Sequence, residues 1–430
     1  MMVKKVSLFL AALLVANILG AQVSYKSFLK DEKYAIKVQP FMGSYLDKST
    51  HFDKFQPFAP SGVHMGLEFP SMQQRPWQQY LGNPTWGMGL SVIDFGHEMV
   101  GEAVALYPYI LIPTIRSKYL DLNFKVAAGL GWVNEHWYTQ EDQDPDHYYD
   151  ETVNTIFGCY LNAYLNAGLS LNVPITRNVA LNGEFGYFHM SNGRTCMPNI
   201  GANVLYGGLG VIGTFNSDVD KTPIQFPDQP YKWSLNITAA AGAQKSAIRD
   251  DHRFLISTFH TGAIYHVNNW YGVGIGADVF YNDAIDANTD RSLYRKDHVY
   301  TTADKIRAGV ALNNEFKFGL ITAMVDWGVY LYNPARHYYD NPEHPIYGLG
   351  RRPLFYKNDG AGTDEAFHYI RFGMKTRIWD NLYFSAAAKT HLHICEYVEF
   401  GLGYQIPFLK KENRKHGEKI FHHRKNWWQE

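Results

Sequence analysis

Tyr160-Leu161-Asn162-Ala163-Tyr164-Leu165-Asn166-Ala167-Gly168-Leu169-Ser170-Leu171-Asn172-Val173 changes character at nearly every residue. Its odd positions are Leu, Ala, Leu, Ala, Leu, Leu and Val, while its even positions hold Tyr, Asn, Tyr, Asn, Gly, Ser and Asn. A period of two over such a length predicts a long strand with one apolar and one polar face. Leu120 to Trp132 repeats the pattern, with Leu120, Leu122, Phe124, Val126, Leu130 and Trp132 opposed to Asp121, Asn123 and Lys125. So does the last candidate strand, where Val398, Phe400, Leu402, Tyr404, Ile406 and Phe408 oppose Glu399, Gly401, Gly403 and Gln405. A soluble β-sandwich also alternates, but the connections point elsewhere. Short turns at Pro174–Asn178, Val267–Trp270 and Trp379–Asn381 alternate with long polar loops at 134–157, 284–303 and 334–365. That asymmetry is the habit of transmembrane β-barrels. The expected fold class is therefore all-β, an antiparallel outer-membrane barrel of about 16 strands in two related halves of about eight. A single barrel is the favoured closure, and two tandem barrels are the alternative.

Targeting and composition agree with export. Lys4 and Lys5, the apolar run Val6 to Leu19 and the small pair Gly20-Ala21 read as a signal peptide over 1–21. Beyond it no apolar run reaches the roughly 18 residues of a membrane-spanning helix. A mean hydropathy of −0.29 with 15% aromatic residues and 37 glycines suits strands half facing lipid and half facing a lumen. A formal charge of −1 gives no reason to invoke nucleic acid. Three cysteines, Cys159, Cys196 and Cys395, cannot all pair within one chain, so no disulfide framework is expected. The organisation read from the sequence is a first strand half at 22–215, a connector at 216–232, a second half at 233–408 and a basic tail at 409–430. Tyr164 to Ser191 faintly resembles Tyr369 to Ile394 in pattern, as an internal duplication would.

One strand carries chemistry on its apolar side. In Val179 to Ser191 the odd positions hold Val179, Leu181, Phe185 and Tyr187, while Asn182 and Glu184 sit on the even row. His189 and Ser191 continue the apolar row, two residues apart and so on one face, where an imidazole reaches a hydroxyl. Run forward from Asn199, the same parity puts Asn199 and Asn203 on the row of Leu205, Leu209, Val211 and Phe215. His189, Ser191, Asn199 and Asn203 are thus expected on the lipid side of adjacent strands, where isolated polar groups are costly without a purpose. With both termini periplasmic, the strand ending at Ser191 runs outward and the site lies at the outer rim.

The motif His189-Met190-Ser191-Asn192-Gly193 with Pro198-Asn199-Ile200-Gly201 resembles the PagL-type lipid A deacylases and the longer Bacteroidetes acyloxyacyl hydrolases. Trp77, Tyr80, Asn83-Pro84, Gly87-Met88-Gly89, Asn154, Lys389-Thr390-His391 and Glu399 to Tyr404 fit the long form. The resemblance implies an outer-membrane carboxylic ester hydrolase that removes an ester-linked acyl chain from lipid A. It implies no cofactor and no metal, with lipopolysaccharide and outer-membrane lipids as partners; a homodimer is left open. It makes Ser191 the nucleophile and His189 the general base, with Asn203 as third catalytic member. Asn192 or Asn199, with the Gly193 N–H, would stabilise the oxyanion, and each such donor is typically worth about 10²–10³ in rate. In one respect the chain departs from the pattern, since the short enzymes place a glutamate where Asn203 stands. An asparagine can hold the imidazole tautomer but stabilises an imidazolium less than a carboxylate does. A lower rate or a different orienting group stays open.

Other motifs decline a function. His391-Leu392-His393 has metal spacing, but parity turns both imidazoles into the lumen beside Lys389 and Glu399, as members of a hydrogen-bond network. Asp142 to His147 starts like a calcium loop but has His147 at the turn glycine and Val153 at the bidentate glutamate. Gly272-Val273-Gly274-Ile275-Gly276 lies inside an alternating strand with no helix after it, against a nucleotide site. Two readings of different class remain: a lipid A esterase, and a non-catalytic porin-like or structural barrel with a degenerate triad.

Overall fold

Exposed leucines and buried lysines invert the usual arrangement of a water-soluble protein, and this inversion recurs in both halves of the described residues. In β5 (Asp121–Val133), Leu130 is 58% exposed and Lys125 only 1%. In β8 (Ala202–Phe215), Leu209 is 77% exposed while Tyr206 is buried. The computed structural model describes residues 29, 31–46, 59–137, 154–227, 231–245, 252–285, 301–333, 368–391 and 394–409. The signal peptide, the acidic loop 142–147, His393 and the tail from 410 onward lie outside these.

Among the described residues, sixteen strands close as two antiparallel barrels of eight. The first runs β1 (Tyr34–Tyr45), β2 (Ser61–Pro70), β3 (Thr85–Asp94), β4 (Glu102–Arg116), β5, β6 (Leu161–Pro174), β7 (Val179–Ser191) and β8, and β1 pairs with β8 to complete it. A five-residue helix α1 (Pro76–Tyr80) lies in the β2–β3 connection. The second barrel runs β9 (Tyr231–Gln244), β10 (Phe254–His266), β11 (Tyr271–Asn282), β12 (Ile306–Phe318), β13 (Ile321–Tyr332), β14 (His368–Trp379), β15 (Leu382–His391) and β16 (Ile394–Leu409), closed by β16 on β9. The favoured single barrel is thus corrected to the two-barrel alternative. The reason lies in pairing: β8 takes β1 as its second neighbour along ten residue pairs from Tyr34↔Phe215 to Tyr45↔Val204, which leaves it no edge for β9. Within each barrel every strand pairs with its sequence neighbours, so local hairpins build it. Tyr164, near the start of the sixth strand of the first barrel, and Tyr369, near the start of the sixth of the second, are both wholly buried.

Polar inward faces need partners once closure excludes water. In the first lumen Glu184 accepts from Lys37 Nζ (2.9 Å), Lys125 Nζ (2.6 Å) and Tyr206 OH (2.5 Å). Tyr109 donates to Glu68 (2.9 Å). Beyond this ionic layer, at the end that receives the β7–β8 connection, an apolar plug of Phe41, Tyr45, Phe95, Ile156, Phe157, Phe188 and Met190 fills the barrel. In the second lumen Arg371 meets Glu399 (2.6 Å) and Asp278 (3.2 Å), Lys375 meets Glu315 (2.6 Å), and Glu396 pairs with both Arg307 and Lys389. His391 joins this network through Tyr330 OH (3.0 Å). Both lumens are thus crossed by paired side chains.

Candidate active site

Strand β7 leaves its last two outward positions to a histidine and a serine. Phe188 and Met190, which alternate with them, point into the apolar plug and are fully buried. The plug thereby fixes the strand that presents His189 and Ser191, as a precise site requires. Two partner strands frame it. On β8, Asn203 is the direct cross-strand neighbour of His189; on β6, Leu165 faces His189 and Ala163 faces Ser191.

The three polar side chains form a relay. His189 Nε2 lies 2.8 Å from Ser191 Oγ, and His189 Nδ1 lies 2.8 Å from Asn203 Oδ1. Because an amide oxygen only accepts, Nδ1 carries the proton and Nε2 presents its lone pair to the serine hydroxyl. The Tyr187 hydroxyl also donates to Asn203 Oδ1, at 2.5 Å. Sequence reading had counted Tyr187 only as a lipid-facing aromatic; its place in the same row, one step before His189 and diagonal to Asn203, was the available signal.

Asn199 departs from expectation. It lies in the β7–β8 connection, not on a strand, and its Oδ1 accepts the Asn192 backbone N–H at 3.1 Å. Strand parity does not carry across this segment because Gly193 (φ +60°), Arg194 (φ +63°) and Gly201 (φ +77°) turn the chain through left-handed conformations. Asn192 is buried, and its Oδ1 accepts the Cys196 N–H at 3.2 Å. These two asparagines tie the connection to itself directly beside Ser191.

The return limb is held by a segment from another loop. Asn154, fully buried, accepts the N–H groups of Ile156 (3.0 Å) and Phe157 (3.2 Å) and donates to Met99 O (2.8 Å). The carbonyls of Thr155 and Ile156 in turn accept from Ile200 N–H (3.2 Å) and Gly201 N–H (3.0 Å). Gly201 is packed so tightly that a Cβ there would lie 2.9 Å from Ser191 Cβ and 3.1 Å from His189 Cε1. Gly201→Ala should therefore push the pair apart, and since a misplacement of about 1 Å can cost about 10² in rate, turnover should fall by about that factor. The check is a rate assay beside a heat-modifiability gel; retention of half the activity or more would show that the serine and histidine tolerate the displacement.

Among the described residues no group of three or more His, Cys, Asp or Glu side chains could hold a metal ion. A closed antiparallel barrel that turns its apolar side chains outward and its charged ones inward is, as a class, an outer-membrane β-barrel. Comparison with known proteins gives the family. Residues 61–211 match the model of lipid A 3-O-deacylase (PagL), and residues 233–352 match that of the acyloxyacyl hydrolase C-terminal domain, together more than half of the chain. The chain belongs to the PagL lipid A deacylase and acyloxyacyl hydrolase family. That membership makes it an outer-membrane hydrolase of an ester bond, with lipid A of lipopolysaccharide as its substrate class. No curated protein matches. Among solved structures, the outer membrane enzyme PagL is similar at 13% identity and a TM-score of 0.26, over 40% of this chain and 97% of that one. A porin variant from Rh. blastica is similar at 11% identity and a TM-score of 0.18, over 87% of this chain and 99% of that one.

Proposed function

We propose that the first barrel removes one ester-linked fatty acyl chain from lipid A by nucleophilic attack of Ser191, at the lipid-facing outer rim. The observation that carries this reading is the continuous relay from Ser191 Oγ through both nitrogens of His189 to Asn203 Oδ1, on a face otherwise apolar. His189 Nε2 takes the serine proton as Oγ attacks the acyl carbonyl, and later returns it to the departing sugar hydroxyl. Water then hydrolyses the acyl-enzyme, again with His189 as base. The oxyanion formed in each half-reaction falls to the donors of the β7–β8 connection. Asn199 has its Oδ1 engaged on the Asn192 N–H, which leaves its Nδ2 group and the Gly193 N–H to serve.

Strand direction supports the rim location. The relay sits at the end of the barrel opposite β1's start and β8's finish, the end that carries the long connections β1–β2 and β5–β6. With termini in the periplasm, that end meets the outer leaflet, where lipopolysaccharide resides. A porin-like reading is disfavoured by the ion pairs that cross both lumens. Purified, refolded protein incubated with lipopolysaccharide should release free fatty acid and lower the lipid A mass by one acyl chain. An unchanged lipid A mass spectrum with a well-folded barrel, across several lipid A types, would overturn the proposal.

A further inference from the structure

An asparagine in the third position of a catalytic relay has a difficulty that a carboxylate lacks. A carboxylate presents two equivalent oxygens, whereas an asparagine presents an oxygen at one end and an NH₂ group at the other. Rotated by half a turn, Asn203 would aim Nδ2–H at His189 Nδ1. The imidazole would then have to carry its proton on Nε2, pointing an N–H at Ser191 Oγ, and could not accept the serine proton. Something must choose between the two orientations.

We propose that Tyr187 is a positioning residue for the hydrolytic reaction, its hydroxyl holding the Asn203 amide with the oxygen toward His189. This rests on the reading of Ser191 and His189 given above. The hydroxyl donates to Asn203 Oδ1 at 2.5 Å, and His189 Nδ1 shares the same oxygen at 2.8 Å. The selection comes from the surroundings of Tyr187. Its cross-strand neighbours are Ala167 on β6 and Leu205 on β8, and the next outward residue on its own strand is Phe185. None of these side chains carries an acceptor, the strand carbonyls on either side are engaged in the sheet, and lipid acyl chains provide none. Asn203 Oδ1 is therefore the acceptor for the hydroxyl proton. Turning the amide over would strand that proton in an apolar setting, a penalty that corresponds to about a 10- to 100-fold bias in population.

The test compares full-length protein, Tyr187→Phe, Asn203→Asp and the double variant, each refolded and checked for heat-modifiable migration. The His189 tautomer is read by nitrogen-15 NMR of histidine-labelled protein, with His189→Gln identifying its signals, and kcat and KM are measured on lipopolysaccharide. Wild type should show the Nδ1–H tautomer. Tyr187→Phe should raise the Nε2–H form to about half of the population and lower kcat by about twofold, with KM unchanged. In the Asn203→Asp background, where both ends of the side chain accept, the Tyr187→Phe penalty should vanish. An unchanged tautomer in Tyr187→Phe, or an equal kcat loss in both backgrounds, would overturn the proposal and reduce Tyr187 to packing. If wild type has no deacylase activity, the functional reading fails, while the tautomer measurement still decides the role of Tyr187.

Discussion

Ser191→Ala should abolish deacylation, lowering kcat by between about 10³ and 10⁶ while leaving the barrel intact. The size follows from what the hydroxyl does: without Oγ no acyl-enzyme forms, and the histidine can at best activate water in a position built for serine. The barrel survives because the change removes one partly buried hydrogen bond, to His189 Nε2, and one oxygen. Such a bond contributes about 0.5–1.5 kcal/mol net. His189→Ala should cost a similar factor. The double variant should be no slower than either single one, because the two side chains act as a unit and their losses do not add. Mass spectrometry of lipid A from cells expressing each variant provides the readout, with outer-membrane abundance as control. Lipid A trimmed equally by wild type and Ser191→Ala would place the chemistry elsewhere or in another protein. The reading of the chain as a structural barrel predicts no difference at all.

The legibility of this site was uneven for physical reasons. Strand parity places His189 and Asn203 on one surface because a two-residue period is imposed by the backbone itself, and they do sit opposite each other at 2.8 Å. The same rule failed for Asn199, which lies between positive-φ residues, Gly193 and Arg194 before it and Gly201 after it, where no period survives. Tyr187 was visible as a position but not as a donor, since an aromatic on a lipid-facing row is ordinary and its partner is set by a diagonal contact between strands. The support of Ile200 and Gly201 by Thr155 and Ile156 was beyond sequence reasoning, because it joins two loops far apart in the chain. The choice between one barrel and two was equally hidden. Alternation specifies which way each residue faces, but closure depends on whether β8 finds β1 or β9, and both edges present the same backbone groups.

Removal of the Glu184 carboxylate should destabilise the first barrel more than any other single change in its lumen. Glu184 and Ser191 share a strand but face opposite ways, so the expected loss is of folding rather than of chemistry. Its two carboxylate oxygens receive Lys37 Nζ (2.9 Å), Lys125 Nζ (2.6 Å) and Tyr206 OH (2.5 Å). Glu68, the other carboxylate of this layer, lies 4.0 Å from Lys37 and already accepts from Tyr109. In Glu184→Gln the two ammonium groups would stay buried with one carboxylate between them, and Lys125 would lose its direct ion pair. Breaking a buried pair by removal of one partner costs about 3–5 kcal/mol, because the remaining charge stays desolvated. Urea unfolding in lipid vesicles should show that loss, and cells should contain little heat-modifiable protein. Lys125→Met in the same background should recover part of the stability, since it removes the stranded charge while Lys37 keeps Glu68. The fraction that does fold should deacylate at the wild-type rate per molecule. Unfolding of Glu184→Gln within about 1 kcal/mol of wild type would mean that the lumen solvates its lysines without help. A slow but fully folded variant would instead tie the ionic layer to the serine across the strand.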